Sequence, residues 1–287
     1  MSDSQRLEVS TRVPACGRLH QLFRDQDARC GNVEEWDPRQ LMSIAAHGPG
    51  CYVRADGTLV GAGLRDGAEL LLAVAHCDGL DRTRVAGALL HSMRGTGECW
   101  APTDDPALAA ALVVDGWQPS TVDLQMRRQL PATAPAPFPP GFGLVELSGS
   151  SEAMLHDEAH ELACDAWGVG PHLEGFLDRF VRQPAYDAQL WVLGQDGDGV
   201  CGAAIGHVKQ LPDALVGKVA SLAVAPRARG LGLAAALLDE LCGRFSSRGL
   251  LLAQLGTHED NPSGAPSMYR HLGWTRASSR TRWQRSV

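Results

Sequence analysis

The sequence predicts an α+β protein made of two tandem domains, each with a mixed β-sheet flanked by helices. Three observations support this fold class. The chain has 287 residues, more than one core usually covers, so two domains of roughly 130–150 residues are expected. A proline-rich segment divides the chain near its middle, and short sequences recur in the same order on both sides of it.

The clearest boundary is the segment 131–140, where five of ten residues are proline and none is charged. Proline fixes its φ angle and lacks an N–H donor, so we expect this segment to be extended and stiff. It separates a predicted N-terminal domain, residues 1–130, from a predicted C-terminal domain, residues 141–287.

The two halves look like diverged copies of one unit. Leu-Ala-Val-Ala occurs at 72–75 and again at 222–225, an offset of 150 residues. Leu-Leu at 89–90 recurs at 237–238, and Gly-Trp at 116–117 recurs at 273–274. The three landmarks keep their order and approximate spacing, which favours an internal duplication.

Hydrophobic periodicity predicts the elements of the C-terminal half. The predicted strands are 142–147, 188–193, 200–207, 218–224 and 250–255, and the predicted helices are 150–167, 173–181, 233–245 and 265–272. Apolar residues at 233, 237, 238, 241 and 245 line one face of the third helix. This order of elements is typical of an α+β domain with a mixed sheet.

Composition and charge exclude several classes of protein. At 44% hydrophobic and 21% charged residues the chain is an ordinary globular protein, and its net charge of −7 argues against binding nucleic acid through phosphate neutralisation. No apolar run reaches the roughly 20 residues of a membrane span, and no signal peptide is seen, so we expect a cytoplasmic protein without a membrane partner. The eight cysteines contain no C-x-x-C pair, so we expect reduced thiols and no metal site.

A glycine loop follows the predicted strand 218–224. It reads Arg227-Ala-Arg-Gly-Leu-Gly232 and leads directly into a predicted helix. Glycine permits a backbone path on which successive N–H groups face a ligand, and a helix N-terminus attracts anions. The loop therefore predicts a phosphate or pyrophosphate site, with simple turn chemistry as the alternative. Neither the dinucleotide fingerprint nor the P-loop matches it.

With its flanking residues, this loop resembles a known family. Val224-Ala-Pro-Arg-Ala-Arg-Gly-Leu-Gly-Leu-Ala234 is similar to the pyrophosphate-binding motif of the GNAT acyltransferase superfamily, Val-x-Pro followed by Arg/Gln-x-x-Gly-x-Gly/Ala. Downstream, Asn261 and Met268-Tyr-Arg-His-Leu-Gly-Trp274 resemble the second family signature. The resemblance covers the C-terminal half and implies GNAT-like domains, each with a mostly antiparallel sheet.

The resemblance also implies acetyl-CoA (coenzyme A) as the acyl donor and assigns residues to it. The main chain of Leu222, Ala223 and Val224 is expected to hold the pantetheine arm and the acyl carbonyl, and Asn261 to lie near that arm. The pyrophosphate is expected to bind the loop and the first helical turn, at Arg227, Arg229, Gly230, Leu231, Gly232, Leu233 and Ala234.

Tyr269 is expected to lie near the thioester sulfur and to donate a proton to the departing thiolate. Because the ordinary pKa of tyrosine, about 10, exceeds the pKa of a free thiol, about 8.5, its role could be mainly a hydrogen bond. The alternative is a tyrosine that only packs the short helix.

The general base is less clear from the sequence. Many family members place a carboxylate on the strand before the loop, but residues 218–222 contain none. His258 and Glu259 are the main candidates, with Asp260 beside them and His207 as a further candidate, since histidine has a suitable pKa. Each can instead be a solvated or structural residue, and a water chain serving a neutral amine is the main alternative.

The predicted function is an N-acetyltransferase, a monomer or homodimer, that moves an acetyl group from acetyl-CoA directly to the amine of a small molecule. The alternative is a non-catalytic coenzyme A-binding sensor or assembly module.

The N-terminal half has His76-Cys-Asp-Gly-Leu-Asp81 in place of the glycine loop and Leu112 in place of the tyrosine. It is expected to be a degenerate copy, although it could still hold coenzyme A through its main chain.

Overall fold

The structure is a computed structural model that describes residues 6–29, 38–95, 97–130, 137–147, 152–167, 186–211 and 214–285. Most of the proline-rich segment and the helix predicted at 173–181 lie outside these residues. The chain divides into two compact units. Unit 1 comprises Met1–Gln125, Thr257–Gly264 and Arg276–Val287, and unit 2 comprises Met126–Gly256 and Ala265–Thr275.

The compact units are not two continuous halves, because two segments of the C-terminal half belong to unit 1. The division into domains at 1–130 and 141–287 therefore stays a prediction about how the chain is duplicated.

The described residues form twelve strands and seven α-helices. The strands are β1 Leu7–Ser10, β2 Gly50–Ala55, β3 Thr58–Asp66, β4 Glu69–Val74, β5 Gly97–Pro102, β6 Gln118–Gln129, β7 Gly143–Val145, β8 Trp191–Asp196, β9 Gly199–Gln210, β10 Leu215–Val224, β11 Leu252–His258 and β12 Thr275–Arg285. The helices are α1 Cys16–Arg29, α2 Pro38–His47, α3 Arg82–Ser92, α4 Pro106–Val114, α5 Glu152–Trp167, α6 Leu233–Ser247 and α7 Ala265–His271.

Unit 1 is a mixed sheet with helices on both faces. Its strands run in the order β1-β2-β3-β4-β5-β12-β6. The pairs of β2, β3 and β4 are antiparallel, as is β5 with β12, whereas β4 and β5 are parallel. One apolar core packs α1 and α2 against one face, and a second packs α3 and α4 against the other. Tyr52 belongs to the first core and its neighbours Cys51 and Val53 to the second, because successive strand residues face opposite sides.

Unit 2 repeats this design around the strand order β11-β10-β9-β8-β7. Only β10 and β11 are parallel, and the other pairs are antiparallel. Helix α6 packs so closely on one face that a Cβ atom at Gly217 would lie 2.4 Å from the ring of Phe245. Helix α5 packs on the opposite face, over a core that includes Leu155, Trp191 and Ile205.

These architectures confirm the predicted α+β class and its mixed, mostly antiparallel sheets, but several predicted boundaries are wrong. Strand β9 continues beyond His207 to Gln210, and β10 begins at Leu215 instead of 218. Residues 188–190 form a 3-10 turn, because the Asp187 carboxylate accepts a hydrogen bond from the Gln189 N–H at 2.9 Å, and strand β8 begins only at Trp191. Strand β11 extends to His258, so this residue ends a strand instead of following one.

Candidate active site

The glycine loop joins the end of β10 to the start of α6. A short 3-10 turn, Pro226–Ala228, leads to Gly230 and Gly232, whose φ angles are +75° and +86°. Side chains disfavour this left-handed region, so glycine is needed at both positions. Gly232 is the residue before the first turn of α6, and no side chain caps that helix.

The loop presents N–H groups to solvent. The N–H groups of Ala228 and Arg229 are used within the 3-10 turn. Within the described residues, no hydrogen bond of ordinary geometry is found for the N–H groups of Gly230, Leu231 and Gly232. Leu231 is 56% exposed, and the first N–H groups of α6 lack intrahelical acceptors. Free donors at the positive end of a fifteen-residue helix are what an anion site requires.

The two arginines of the loop stabilise it instead of reaching outward. Arg227 forms a two-pronged ion pair with Asp196 at the end of β8, with distances of 3.0 and 3.2 Å. This hydrogen bond from Arg227, together with the N–H of Asp198, lowers the pKa of Asp196. Arg229 donates from Nε to the Val224 carbonyl at 2.9 Å. The donors that remain for a ligand are therefore mainly main-chain groups.

Strand β10 becomes separated from β11 as it approaches the loop. Their parallel register covers residues 217–219 of β10 and ends at the pair Val219 and Leu255. A bulge lies between Val219 and Ser221 in the pairing with β9, which continues to Val224. The side of β10 that faces β11 is thus left unpaired beyond Val219 among the described residues. The predicted pantetheine positions Leu222, Ala223 and Val224 lie on this unpaired stretch.

Tyr269 lies on α7 in the same unit. It is 6% exposed, and its ring is 6.2 Å from that of Trp274. Its carbonyl accepts from the N–H groups of Leu272 and Trp274, which holds the end of the helix. Burial raises the pKa of the Tyr269 hydroxyl to about 12, so this side chain is a neutral hydrogen-bond donor at ordinary pH.

The predicted residues 258–261 belong to unit 1. His258 Nδ1 makes a very short contact with the Asp123 carboxylate. Glu259 is exposed, and its N–H donates to the Val122 carbonyl at 2.8 Å. The oxygen of the Asn261 side chain accepts from the N–H and hydroxyl of Ser263. The catalytic roles of His258 and Glu259 and the place of Asn261 beside the cofactor arm stay predictions.

Asp260 and His207 complete the predicted candidates. Asp260 is exposed and accepts from the hydroxyl of Thr121 at 3.0 Å, also within unit 1. His207 lies on β9 in unit 2, directly across from Lys218 on β10. Burial and then the charges of Lys218 and Lys209 lower the pKa of His207.

Comparison with known proteins identifies the family. Residues 186–276 match the family model described as an acetyltransferase (GNAT) domain. The chain is 31% identical over 267 residues to the mycothiol acetyltransferase of Geodermatophilus obscurus, covering 86% of this chain and 82% of that one. It is 32% identical over 244 residues to the mycothiol acetyltransferase of Salinispora arenicola, covering 82% and 77%. The chain belongs to the GNAT family of acetyltransferases.

Solved structures of GNAT proteins share the fold along the whole chain. A GCN5-related N-acetyltransferase from Sphaerobacter thermophilus superposes with a TM-score of 0.70 at 17% identity, covering 97% of this chain and 95% of that one. A tandem GNAT protein from the clavulanic acid biosynthesis pathway superposes with a TM-score of 0.59 at 16% identity, covering 98% of each chain. The predicted tandem GNAT-like fold is confirmed, and so is the prediction of an N-acetyltransferase that acts on an amine.

Unit 1 of this GNAT acetyltransferase has a different loop where unit 2 has the glycine loop. The N-terminus of α3 is capped by the Asp81 carboxylate, which accepts from the Arg84 N–H at 3.0 Å. Arg82 binds Asp105 through two hydrogen bonds and donates from Nε to the Ala75 carbonyl. Asp105 is 1% exposed. The Asp81 carboxylate therefore occupies one donor at this helix end and places a negative charge there, which disfavours an anion.

Several residues that shape the acetyltransferase loops were not predicted. Asp196, Asp105 and Asp123 each bind a basic residue far away in the sequence. No local sequence pattern predicts such partners. The Asp-Pro before the helical run at 106–114 is the one usable signal, since aspartate before proline often begins a helix.

Three further structural findings concern the described residues as a whole. In this part of the acetyltransferase no helix is both long enough and apolar enough to cross a bilayer. No cluster of three or more histidine, cysteine, aspartate or glutamate side chains is placed to hold a metal ion in the same residues. The cysteines described are free thiols, with Cys51, Cys99, Cys201 and Cys242 buried.

Proposed function

We propose that unit 2 binds acetyl-CoA and transfers its acetyl group directly to the amine of a small molecule. The observation that carries this proposal is the uncapped N-terminus of α6 at Gly232, beside the unpaired end of β10. Acetyl-CoA is an extended molecule that needs both features. Its pyrophosphate requires N–H donors, and its pantetheine arm, which contains amides, requires the free edge of a strand.

Different residues of the chain hold different parts of the acyl donor, acetyl-CoA. Free N–H groups from Gly230 to Ala234 bind the pyrophosphate, and Arg227 and Arg229 keep the loop in shape through Asp196 and the Val224 carbonyl. The main chain of residues 222–224 orients the arm and the acetyl carbonyl. Acetyl-CoA supplies the activated acetyl group as a thioester. Alignment of the thioester with an amine contributes much of the rate, on the order of 7–11 kcal/mol in favourable cases.

Tyr269 stabilises the departing thiolate by a hydrogen bond. Its pKa of about 12 lies well above the pKa of a thiol, about 8.5, so complete proton transfer would be uphill by roughly 5 kcal/mol. A hydrogen bond to the developing charge avoids this cost and is worth about 1.5–3 kcal/mol. The buried tyrosine therefore acts as a fixed donor, and the proton is restored from solvent.

The acceptor is proposed at the level of its class. Two relatives at 31% and 32% identity are named mycothiol acetyltransferases, so an amine precursor of mycothiol heads the set of acceptors to be tried. Unlike many family members, this chain has no carboxylate at 218–222, which is a reason to include other small amines beside it.

The test is a thiol-release assay with acetyl-CoA and a panel of small amines, with the product identified by mass and by its amide signal. We expect free thiol to appear only when an accepting amine is present, in equal amount to the amide. Coenzyme A binding without turnover on any amine would contradict the proposal.

A further inference from the structure

The side chain of Gln26 occupies one edge of β4 in unit 1. Gln26 lies on α1 and is 4% exposed. Its Nε2 donates to the Leu72 carbonyl at 2.9 Å, and its Oε1 accepts from the Val74 N–H at 2.7 Å. We propose that Gln26 closes, with its own amide, a second site for a pantetheine arm and so limits the chain to one acetyl-CoA. This inference rests on the proposed function of unit 2, which sets the class of ligand.

The two residues bound by this amide correspond to predicted pantetheine positions of unit 2. Leu72 and Val74 each lie 150 residues before such a position, in the first copy of Leu-Ala-Val-Ala. Those positions are Leu222 and Val224. The parallel register of β4 with β5 ends at Leu71, and that of β10 with β11 also ends before Leu222. Each unit therefore has a stretch of strand edge that its parallel neighbour does not cover.

The pairing with the antiparallel neighbour shows which way the main chain of this stretch faces. The Ala75 N–H donates to the Val60 carbonyl beside it at 2.8 Å. At the equivalent place in unit 2, the Ala225 N–H donates to the Cys201 carbonyl, also at 2.8 Å. Hydrogen-bonding directions alternate along an antiparallel strand, so the main-chain groups one and three residues earlier point to the opposite edge. Gln26 occupies this edge in unit 1, whereas in unit 2 it has no partner strand among the described residues.

Gln26 binds the edge of β4 in the way that an added strand would. In a parallel pair, a residue of the added strand donates its N–H to one residue and accepts from the N–H two residues further on. The Gln26 amide donates to Leu72 and accepts from Val74, and these partners fix which side-chain atom is nitrogen and which is oxygen. A pantetheine arm contains amides and would need the same two main-chain groups. Gln26 and such an arm therefore exclude each other.

Helix α5 packs on β9 and β10 in unit 2 as α1 packs on β3 and β4 in unit 1. The buried side chains that the structure describes on α5 are Leu155, Ala159 and Ala163. None of these side chains can donate or accept a hydrogen bond. The described part of α5 therefore has no buried amide like that of Gln26, which agrees with an open edge at Leu222.

The ligand of an opened site in unit 1 would be the arm without its phosphates. The Asp81 carboxylate caps α3, and its charge disfavours a pyrophosphate at that helix end. The strand edge itself is apolar apart from its main chain, and it reaches the surface after β4, where Ala75 and His76 are half-buried. Pantetheine, which lacks the phosphates, is therefore the probe for unit 1.

The first test measures amide hydrogen exchange by NMR in Gln26→Ala, with and without pantetheine. The substitution removes the acceptor of the Val74 N–H, so exchange there should become about tenfold faster or more. Excess pantetheine should reverse most of this increase in Gln26→Ala and leave Val74 unchanged in the wild type. Gln21→Ala is the matched control, because Gln21 lies on the same helix, is exposed and binds Asp25. It should behave like the wild type, and a folded Gln26→Ala in which pantetheine does not slow Val74 would overturn the proposal.

A second measurement needs no variant and decides the question if Gln26→Ala does not fold. In the wild type, acetyl-CoA should slow the exchange of the Val224 N–H. It should leave the exchange of Val74 unchanged relative to Ala75, whose N–H is bound within the sheet. Slower exchange at Val74 relative to Ala75 would mean that the ligand displaces Gln26, and the proposal would be wrong.

The outcomes distinguish the closed site of unit 1 from the proposed function of unit 2. If acetyl-CoA protects Val224 but pantetheine does not protect Val74 in Gln26→Ala, the function stands and the closure by Gln26 is wrong. If acetyl-CoA protects neither amide in the wild type, the proposed function of unit 2 fails. The effect of pantetheine on Gln26→Ala then still decides whether unit 1 holds a closed site.

Discussion

At the scale of single residues, burial determines how Tyr269 can act in this acetyltransferase. The residue is 6% exposed, and burial raises the pKa of its hydroxyl to about 12. It therefore stays protonated from acidic to strongly alkaline pH, and its ionisation does not shape the pH dependence of the rate in the physiological range. The function proposed for it is electrostatic, through a hydrogen bond present mainly when the thiolate forms.

Replacing Tyr269 with phenylalanine tests this role. A hydrogen bond to a charged group is worth about 1.5–3 kcal/mol, so Tyr269→Phe should lower kcat by about 10–150-fold. The KM for acetyl-CoA should change little, because the interaction forms late in the reaction. The measurement is steady-state kinetics by thiol release.

Tyr52→Phe is a suitable control for that experiment. Tyr52 is fully buried in unit 1, and its hydroxyl has no hydrogen-bond partner among the described residues. Its removal should leave kcat unchanged. Equal rates for Tyr269→Phe and wild type would show that the tyrosine only packs the helix.

His207 illustrates how a shifted pKa also affects stability. Its folded-state pKa is lowered, so below the ordinary value of about 6.5 the unfolded chain binds more protons than the folded one. Stability attributable to this residue is therefore present near neutral pH and is lost as the pH falls through the folded-state pKa.

At the scale of elements, the two strand-to-helix loops differ in whether a side chain caps the helix N-terminus. Helix α6 begins after the uncapped Gly232, whereas α3 begins after Asp81, whose carboxylate occupies the N–H of Arg84. In unit 1 the Asp105 carboxylate also caps α4, by accepting from Leu108 N–H at 3.1 Å. The Arg82–Asp105 pair thus ties the starts of two helices together.

Breaking that pair should destabilise unit 1 strongly. Asp105→Asn leaves the Arg82 guanidinium buried without its counter-charge, and such losses cost about 3–5 kcal/mol. The free energy of unfolding is measured by urea denaturation followed by circular dichroism.

Asp104→Asn is the matched control. Asp104 is the preceding residue and pairs at 3.1 Å with Arg276, but both side chains are largely exposed. Exposed pairs contribute about 0–1 kcal/mol, so this variant should unfold almost like the wild type. Similar losses for both variants would contradict the structural role given to the Arg82–Asp105 pair.

Local sequence patterns predicted the elements well where the causes are local. The Gly-x-Gly spacing required positive φ angles at 230 and 232, and the apolar spacing of 233–245 matched the buried face of α6. The strand predicted from 188 failed because Asp187 caps a 3-10 turn there. Ion pairs such as Arg82 with Asp105 join residues distant in the sequence, so they could be identified only from the folded structure.

At the scale of the whole molecule, the two units share one arrangement of strands and helices but differ in the loop that precedes the helix. Both units contain one parallel strand pair, β4 with β5 and β10 with β11, followed by a loop and a helix. The repeat did not predict that β12, at the C-terminus, pairs with β5 in unit 1. That pairing depends on the folded arrangement and has no counterpart in local periodicity.

The proposed function requires that one acetyl-CoA binds per chain, at the glycine loop of unit 2. Leu231 is exposed between the two glycines, so Leu231→Glu places a carboxylate where the pyrophosphate should lie without disturbing the core. Repulsion at the helix N-terminus should weaken binding about tenfold or more. Leu251→Glu is the control, because Leu251 is 76% exposed and lies outside the loop.

Calorimetric titration of acetyl-CoA into the wild type and these two variants is the most direct measurement. We expect one site per chain in the wild type and in Leu251→Glu, and strongly weakened binding in Leu231→Glu. Two sites per chain, or unchanged binding in Leu231→Glu, would contradict this expectation.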